Sequence, residues 1–327
     1  MKVLVTGADG MLGNHICREL LSKKYQVRGM IQPGRRTGTL DHLELETVNS
    51  DLLIYQDLMK ALNGCDVVIH TAASTQIWPS RSPLIWEVNY DGTLLLAKAV
   101  LELGVQKLIH IGTANSFGSG SKSNPGTEET PYTGGIFKLD YQDSKHAAQI
   151  HLLDLAKSDK LPVVIINPSY MFGAYDSQPG SGKMILSLHK GRITGYTRGG
   201  RSYIAAKDVA TCVVNAIAAG VVGECYLASG VNLNFQEVFS LIAETIGVAP
   251  PNLYVPDPLI DAIGLFGSLI GNISKKPPLI SYPMARLAHT ECYYSNAKAV
   301  RELGLPQTPL RDAILECFNW FKQHDHL

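Results

Sequence analysis

The chain begins with a short apolar strand signal that runs directly into a glycine-rich turn and then into a helix signal. Lys2–Thr6 is a near-continuous apolar run, Gly7, Gly10 and Gly13 follow at a spacing of three, and Met11–Ser22 has a helical pattern. The glycines allow a tight turn, a close approach of the backbone to a pyrophosphate, and close packing of the helix. The helix N-terminus favours phosphate through its free N–H groups and its dipole. The pattern predicts a dinucleotide site rather than the alternative, an ordinary tight turn. The predicted contacts are Gly7, Asp9, Gly10, Met11, Leu12 and Gly13.

Strand and helix signals alternate through the first 170 residues. The strand signals are near-continuous apolar runs, which are typical of parallel strands buried on both faces. We therefore predict an α/β fold, a doubly wound parallel (Rossmann) sheet with a smaller C-terminal substrate-binding domain. The predicted strands are Lys2–Thr6, Gln26–Ile31, 44–50, 66–71, 107–112 and 162–167, and the predicted helices are Met11–Ser22, Tyr55–Leu62, 85–103 and 141–157.

Glycine and proline become frequent after residue 168, and this change predicts a domain boundary. Residues 1–168 and about 203–230 are predicted to form the dinucleotide-binding domain, and about 169–202 and 231–327 the substrate-binding lobe. A strand at 203–206, a helix at 207–218 and a strand at 224–228 are expected to return to the sheet. Residues 258–273 are predicted to form an amphipathic helix that covers an apolar surface.

Composition excludes several classes of protein. The chain has 29 basic and 29 acidic residues, without the basic excess that is usual in nucleic-acid-binding proteins. Six scattered cysteines without a C-x-x-C pair argue against a disulfide framework or a structural zinc site, so no metal is predicted. No apolar run reaches the roughly 20 residues that span a bilayer. Because strand signals begin at Lys2, we expect no leader peptide and a cytoplasmic location.

The end of the second predicted strand bears on the choice between NAD and NADP. In an NAD site, an Asp or Glu about 20 residues after the glycine turn usually binds the adenine ribose. The segment from Gln32 to Arg36 contains no carboxylate and ends in Arg35 and Arg36. Arginines suit a 2′-phosphate, so NADP(H) is the favoured cofactor, with NAD(H) possible. Gln32, Arg35 and Arg36 are therefore predicted to contact the cofactor. The alternative is that both arginines are solvated loop charges.

A second pattern is a Tyr and a Lys four residues apart, Tyr141 and Lys145, within the predicted helix 141–157. At this spacing both side chains lie on one face of a helix. A free Tyr titrates at about pH 10, and a nearby ammonium, together with a cationic nicotinamide, lowers that pKa. Such a Tyr can pass a proton to or from a substrate oxygen near neutral pH. Alone, the pattern is also typical of an ordinary amphipathic helix.

The glycine turn and the Tyr/Lys pair, with further motifs, resemble the extended short-chain dehydrogenase/reductase superfamily. This superfamily is also called the NAD-dependent epimerase/dehydratase family. The resemblance covers nearly the whole chain and is nearest the dihydroflavonol-reductase and 3β-hydroxysteroid-dehydrogenase-like branch. The further motifs are Asp51, His70-Thr71-Ala72-Ala73, Asn89-Tyr90-Asp91-Gly92-Thr93, Gly112-Thr113-Ala114-Asn115, Asn167-Pro168-Ser169-Tyr170, Asp208-Val209-Ala210 and Ser295-Asn296-Ala297-Lys298.

The resemblance implies a role for each matching residue. Thr113 stands where the family has a Ser or Thr that hydrogen-bonds the reacting oxygen. Tyr141 is then the acid/base, and Lys145 binds the nicotinamide ribose and tunes Tyr141. The further cofactor contacts that the resemblance implies are Asp51, Leu52, Ala72, Ala73 and Pro168, and the substrate contacts are Asn115, Tyr170 and Arg201. For Arg201, which stands where epimerases bind a nucleotide diphosphate, a surface salt bridge is the alternative.

Departures from the family patterns narrow the reaction. Sugar-nucleotide dehydratases carry an acidic pair after the Ser/Thr, whereas Ala114 and Asn115 stand there, so elimination lacks its acid and base. The resemblance therefore implies an NADP(H)-preferring oxidoreductase that interconverts a carbonyl and an alcohol. A sugar-nucleotide epimerase with bound NAD is the alternative, and a non-catalytic NAD(P)-binding regulator is a third reading. The resemblance also implies a homodimer in which helices 85–103 and 141–157 form a four-helix bundle.

Overall fold

A computed structural model describes residues 1–34 and 38–327 of the chain. Strands and helices alternate along its first part as the sequence predicts. The strands are β1 (Lys2–Thr6), β2 (Gln26–Ile31), β3 (Glu46–Asn49), β4 (Val67–His70), β5 (Lys107–Ile111), β6 (Val163–Pro168), β7 (Tyr170–Phe172), β8 (Gly195–Tyr196), β9 (Gly200–Ala205), β10 (Cys225–Ala228), β11 (Val231–Asn234), β12 (Leu253–Tyr254) and β13 (Glu291–Cys292). The helices are α1 (Met11–Ser22), α2 (Tyr55–Leu62), α3 (Pro83–Trp86), α4 (Gly92–Glu102), α5 (Asp140–Ser158), α6 (Lys183–His189), α7 (Ala206–Ala219), α8 (Phe235–Ile246), α9 (Asp257–Ser274), α10 (Tyr282–Ala288), α11 (Ala297–Leu303) and α12 (Leu310–Gln323).

The main sheet has seven parallel strands in the order β10-β6-β5-β4-β1-β2-β3. Its strand order reverses between β1 and β4, where Thr6 is the register partner of His70. Ligands of doubly wound sheets bind in the crevice at such a reversal, beyond the carboxyl ends of the strands. The sheet confirms the predicted fold class, and it places the glycine turn after β1 at the reversal.

Two apolar cores cover the faces of this sheet. One lies under α1, α7 and α11, and the other under α2, α4 and α5. Both faces are buried, which explains why the strand signals are near-continuous apolar runs. All six cysteines are buried and unpaired. Within the residues that the structure describes, no helix is long and apolar enough to cross a membrane.

The prediction that 203–206 returns to the main sheet is wrong. This run belongs to β9, which pairs with β11, β13 and β7 in a separate four-stranded sheet. The fully buried ring of Tyr203 stacks on Phe172 at 5.7 Å in a third apolar core with α6, α8 and α12. An apolar run predicts a strand but not its partner. The expected return does occur at β10, which pairs with β6.

Helix α9 matches the predicted helix 258–273, but apart from the buried Ile260 its large apolar residues do not cover a core. It packs against the protein through small residues instead: a Cβ on Gly264 would lie 2.5 Å from Ala285, and one on Gly267 2.2 Å from the Ile280 carbonyl oxygen. Such contacts bring two backbones close together, which only glycine permits. The large apolar side chains of α9 other than Ile260 consequently point to solvent, as described below.

Candidate active site

The turn after β1 has the geometry of a phosphate cradle. Gly7 has φ +63°, and its N–H donates to the Met30 carbonyl at 3.1 Å. A Cβ on Gly13 would lie 2.1 Å from the Gly7 carbonyl oxygen, so only glycine fits there. Gly10 occupies the N-cap of α1, and no side chain among the described residues caps this helix. The first N–H groups of α1 therefore remain for an anionic ligand, and the turn fits a dinucleotide pyrophosphate.

The neighbouring strand end is tied to this turn by hydrogen bonds. The Thr6 hydroxyl is 2.8 Å from His70 Nδ1 and accepts the Ala72 N–H at 3.2 Å. Thr71 donates its hydroxyl to the Thr6 carbonyl at 2.5 Å. Ala72 and Ala73 thus follow β4 beside the glycine turn. Burial lowers the pKa of His70 to about 3, so its imidazole is neutral and serves the packing of the two strand ends.

The predicted contacts on the adenosine side lie at the ends of β2 and β3. Asp51 is half-buried, and its Oδ1 accepts the Leu53 N–H at 2.9 Å, which shapes the turn into α2. Leu52 is buried against Gly92. Gln32 is exposed directly after β2, whereas Arg35 and Arg36 lie outside the described residues. Pro168 ends β6. Cofactor contact at all these positions stays a prediction.

The helix α5 brings Tyr141 and Lys145 to Thr113, which follows β5. The Tyr141 and Thr113 side chains share a hydrogen bond, and Lys145 Nζ donates to the Ile111 carbonyl at 2.5 Å. Lys145 is buried, and no described carboxylate forms an ion pair with it. The three predicted catalytic side chains therefore meet at the carboxyl end of the sheet, one strand away from β4.

The pKa directions in this cluster differ from the sequence expectation. Burial lowers the pKa of Lys145 to about 7, so at neutral pH the lysine retains only part of its positive charge. Burial also raises the pKa of Tyr141, and its hydrogen bond with Thr113 offsets this only in part. Tyr141 is thus a protonated phenol at neutral pH. Desolvation of the phenol is the largest influence on this pKa, whereas the sequence-based lowering was predicted for a Tyr141 next to both an ammonium and a cationic nicotinamide.

Asn167 holds Thr113 in place from behind. Its Nδ2 donates to the Thr113 carbonyl at 3.1 Å and to Gln149 Oε1 at 2.7 Å. A Cβ on Gly112 would lie 2.3 Å from this nitrogen, so glycine is required before Thr113. Sequence reasoning noted Asn167 only as part of a motif and missed Gln149. The signal available for Asn167 was a polar residue at the end of an otherwise apolar strand.

The three predicted substrate residues occupy different environments. Asn115 lies next to Thr113, and its Oδ1 accepts the Tyr294 hydroxyl at 3.3 Å. Tyr170 is half-buried and donates its hydroxyl to the Ser181 carbonyl at 3.2 Å. Arg201 donates to backbone carbonyl oxygens, which belong to Leu287 at 2.9 Å, Gly200 at 3.1 Å and Thr290 at 3.4 Å. These bonds favour a structural role for Arg201, and substrate contact at all three residues stays a prediction.

A polar cluster at the start of α5 was missed from the sequence. Arg81 pairs with Asp140 at 2.5 Å and with Asp143 at 3.0 Å. The Tyr132 hydroxyl donates to Asp143 at 2.6 Å, and its ring stacks on His146 at 4.1 Å. These contacts fix the first turn of α5, on which Tyr141 stands. Their partners are far apart in sequence, and no local pattern predicts such pairs.

The fold and the site define a dinucleotide-binding enzyme of the Rossmann class with a Thr/Tyr/Lys cluster. A family model described as the NAD-dependent epimerase/dehydratase family matches residues 3–228. The chain belongs to this family, whose members bind NAD(P), and the sequence-based recognition of the extended short-chain dehydrogenase/reductase superfamily is confirmed.

Named relatives span reductases and epimerases. The chain is 28% identical to sterol demethylase protein B of Methylococcus capsulatus, over 99% of each chain. It is also 28% identical to a putative dihydroflavonol 4-reductase of Synechocystis, over 99% of this chain and 95% of the relative. Among solved structures, a nucleoside-diphosphate-sugar epimerase from Pseudomonas aeruginosa superposes with a TM-score of 0.82 at 26% identity, over 100% of this chain and 99% of the other.

We predict that Gly10→Val weakens cofactor binding about 100-fold while the fold persists. A Cβ at Gly10 meets only the Gly7 carbonyl oxygen, at 3.3 Å, which a small shift relieves. The larger side chain would occupy the phosphate position, and losing two backbone bonds to phosphate weakens binding about 100-fold. Titration calorimetry with NADPH measures this. Gly13→Val, at 2.1 Å from the same oxygen, should instead destabilise the fold; unchanged NADPH affinity in Gly10→Val would contradict the cradle.

We predict that Lys145→Met stabilises the protein at pH 7 while it damages function. The folded-state pKa of Lys145 is about 7, below its ordinary 10.5, so between these values the unfolded state binds the extra proton. Wild-type stability should therefore rise with pH across this window, by about 1.4 kcal/mol per unit at most. Lys145→Met should be the more stable at pH 7, and its advantage should shrink as pH rises.

Thermal melting of the cofactor-free protein from about pH 6 to about pH 10 tests this, because the range starts below the folded-state pKa of about 7 and covers most of the window up to the ordinary 10.5. Lys157→Met, at an exposed lysine of the same helix, is the control and should give a profile parallel to the wild type. Parallel profiles for wild type and Lys145→Met would show that the Lys145 ammonium is not desolvated.

Proposed function

We propose that the protein is an NADP(H)-preferring oxidoreductase that interconverts a carbonyl, ketone or aldehyde, and an alcohol. The observation that supports this proposal is the hydrogen bond between Tyr141 and Thr113, together with the buried Lys145 four residues after Tyr141 on α5. The cluster lies at the same edge of the sheet as the glycine turn after β1. A cofactor bound at that turn can therefore extend along the carboxyl ends of the strands toward Tyr141.

The side chains divide the work between binding and proton transfer. The bound nicotinamide dinucleotide supplies or accepts the hydride. Tyr141 donates its phenolic proton to the carbonyl oxygen during reduction, and its raised pKa keeps that proton in place at neutral pH. Thr113 holds the same oxygen with its hydroxyl. Lys145 binds the cofactor ribose, and a gain of positive charge on Lys145 or the cofactor favours the Tyr141 phenolate that remains.

One observation favours a reductase over a sugar-nucleotide epimerase, and a second argues against a dehydratase. Arg201 is already bonded to three backbone carbonyl oxygens, which leaves it poorly suited to bind a diphosphate. Against a dehydratase, residues 114 and 115 after Thr113 are Ala and Asn, so the acidic pair that elimination requires is missing. The relatives named as reductase and sterol demethylase protein support the same direction. The epimerase structure supports the alternative, an epimerase with tightly bound NAD.

We predict that Tyr141→Phe lowers turnover by about 10²–10⁴-fold, the usual contribution of general acid–base catalysis. The ring stays and the fold is kept, so NADPH should still bind. The assay follows NADPH absorbance with a panel of ketones and aldehydes. Tyr254→Phe, which removes the hydroxyl of an exposed tyrosine, is the matched control and should turn over normally. Near-normal turnover of Tyr141→Phe would place the acid elsewhere; NADPH binding without turnover of any carbonyl would favour the regulator.

The cofactor preference rests on the segment after β2, where Gln32 is exposed and Arg35 and Arg36 follow in the sequence. Replacing both arginines with Ala should narrow the preference for NADPH over NADH by about tenfold or more, because a charge-assisted bond contributes about 1.5–3 kcal/mol. Dissociation constants of the two cofactors, measured for wild type and variant, test this. A wild type that prefers NADH would contradict the proposal.

We also propose a homodimer through the outer faces of α4 and α5. Leu96 and Leu152 are buried in the protein's own core, so they do not form this face. Leu95 and Leu153 also pack against this core, whereas Leu94 and the exposed Ile150 remain for the outer face. Light scattering should give twice 35.6 kDa for the wild type. Ile150→Asp should give a single chain, whereas Leu315→Asp, on the exposed side of α12, should not; a wild-type monomer would contradict the dimer. A cytoplasmic location stays a prediction.

A further inference from the structure

Helix α9 has the reverse of the usual pattern of a surface helix. Surface helices normally turn large apolar residues inward and polar residues outward. In α9 the inward residues after Ile260 are glycines: Gly264 and Gly267 contact the segment around α10, and a Cβ on Gly271 would lie 2.7 Å from the Trp78 ring. The outward residues are large and apolar and carry no charge. They are Ile263, Leu265, Phe266, Leu269, Ile270 and Ile273, exposed by 45–84%, and together they form what we call the α9 face.

The surface next to the α9 face repeats its composition. Leu279, just beyond the helix, is 79% exposed. Residues Gly134–Phe137, which contact α10, include Ile136 at 64% exposure, and Lys138 follows them at the surface. Contiguous apolar surface of this kind marks a site of interaction with another protein or with a membrane.

Charge distinguishes one end of α9 from the other. The two carboxylates of α9 lie in its first turns and are already paired: Asp257 with Arg198 at 2.7 Å, and Asp261 with His289 at 3.1 Å. At the other end Lys275 and Lys276 follow Ile273 directly and are exposed. Neither lysine forms an ion pair with any residue that the structure describes. An apolar face that ends in free cations complements an anionic lipid surface.

The same composition fits a protein partner poorly. Protein interfaces are depleted of Lys, and their strongest contacts come from Trp, Tyr and Arg, with Leu under-represented. The α9 face is Ile and Leu with one Phe, and it offers no polar side chain for directional bonds. We propose that the α9 face is a docking surface for an anionic phospholipid membrane. The helix lies in the plane of the headgroups, with its apolar residues inserted and Lys275 and Lys276 on the phosphates.

The proposal is independent of the reaction that the protein catalyses, and it concerns attachment to one leaflet without a span. Its experiment is flotation of the purified full chain with vesicles of phosphatidylcholine alone or mixed with phosphatidylglycerol. The wild type should float with the mixed vesicles. The double variant Phe266→Ser with Ile270→Ser should bind them about 100-fold less, since inserted apolar side chains supply most of the affinity. Both residues are 65% exposed, so the melting temperature should not fall.

Two control variants test whether vesicle binding depends on the α9 face and its lysines, and not on exposed apolar or basic residues in general. Val221→Ser with Val222→Ser removes two exposed apolar residues elsewhere and should bind as the wild type does. Lys275→Gln with Lys276→Gln should weaken binding to the mixed vesicles about 30-fold and leave phosphatidylcholine binding unchanged. Lys24→Gln with Lys160→Gln, at two exposed lysines, should have little effect.

Two results would overturn the proposal. One is a wild type that stays off the mixed vesicles, and the other is a Phe266/Ile270 variant that floats as well as the wild type. If the wild type instead self-associates, and the Phe266/Ile270 variant dissociates without any vesicle binding, the α9 face joins two copies of this chain and the membrane proposal is wrong.

Discussion

The close approach of α1 to β1 determines where the parts of the site can lie. The gap between Gly13 and the Gly7 carbonyl oxygen is too small for any side chain, and Gly7 itself sits against Ala72 after β4. Because of this contact, the N-terminus of α1 lies at the point where the strand order of the sheet reverses. The chain leaves β4 and β5 at the same edge, so Thr113 and α5 meet the cofactor cradle there. A bulky residue at Gly7 or Gly13 would therefore displace the whole site.

The cluster of Thr113, Tyr141 and Lys145 is assembled at a cost in stability. Lys145 is desolvated, with a backbone carbonyl as its hydrogen-bond acceptor, and its pKa is lowered to about 7. Asn167 meanwhile uses a buried amide to hold Thr113 from behind. Such groups are expensive to bury and do little for packing, which is typical of residues kept for function. Burial also raises the pKa of Tyr141, so its phenol stays protonated at neutral pH.

Local sequence patterns predicted the main sheet well, but they did not predict contacts between distant segments. Near-continuous apolar runs mark strands buried on both faces, so the bounds of β1, β2, α1 and α2 agree with the prediction. The same runs do not say which strand pairs with which, and β9 therefore lies in the second sheet. Likewise, Tyr294 reaches Asn115 across 179 positions, and the apolar residues of α9 face outward. Periodicity reveals an apolar face but not what covers it.

The central claim of this account is that the transferred hydride leaves with the product and does not return to the cofactor. Isotope labelling tests this claim most directly. The enzyme is incubated with NADPH deuterated at the transferable position and with carbonyl and sugar-nucleotide substrates. We expect deuterium in the released alcohol, with one cofactor consumed for each product molecule. Epimerisation of a sugar nucleotide without net change in the cofactor would contradict the account and would assign Arg201 to the substrate.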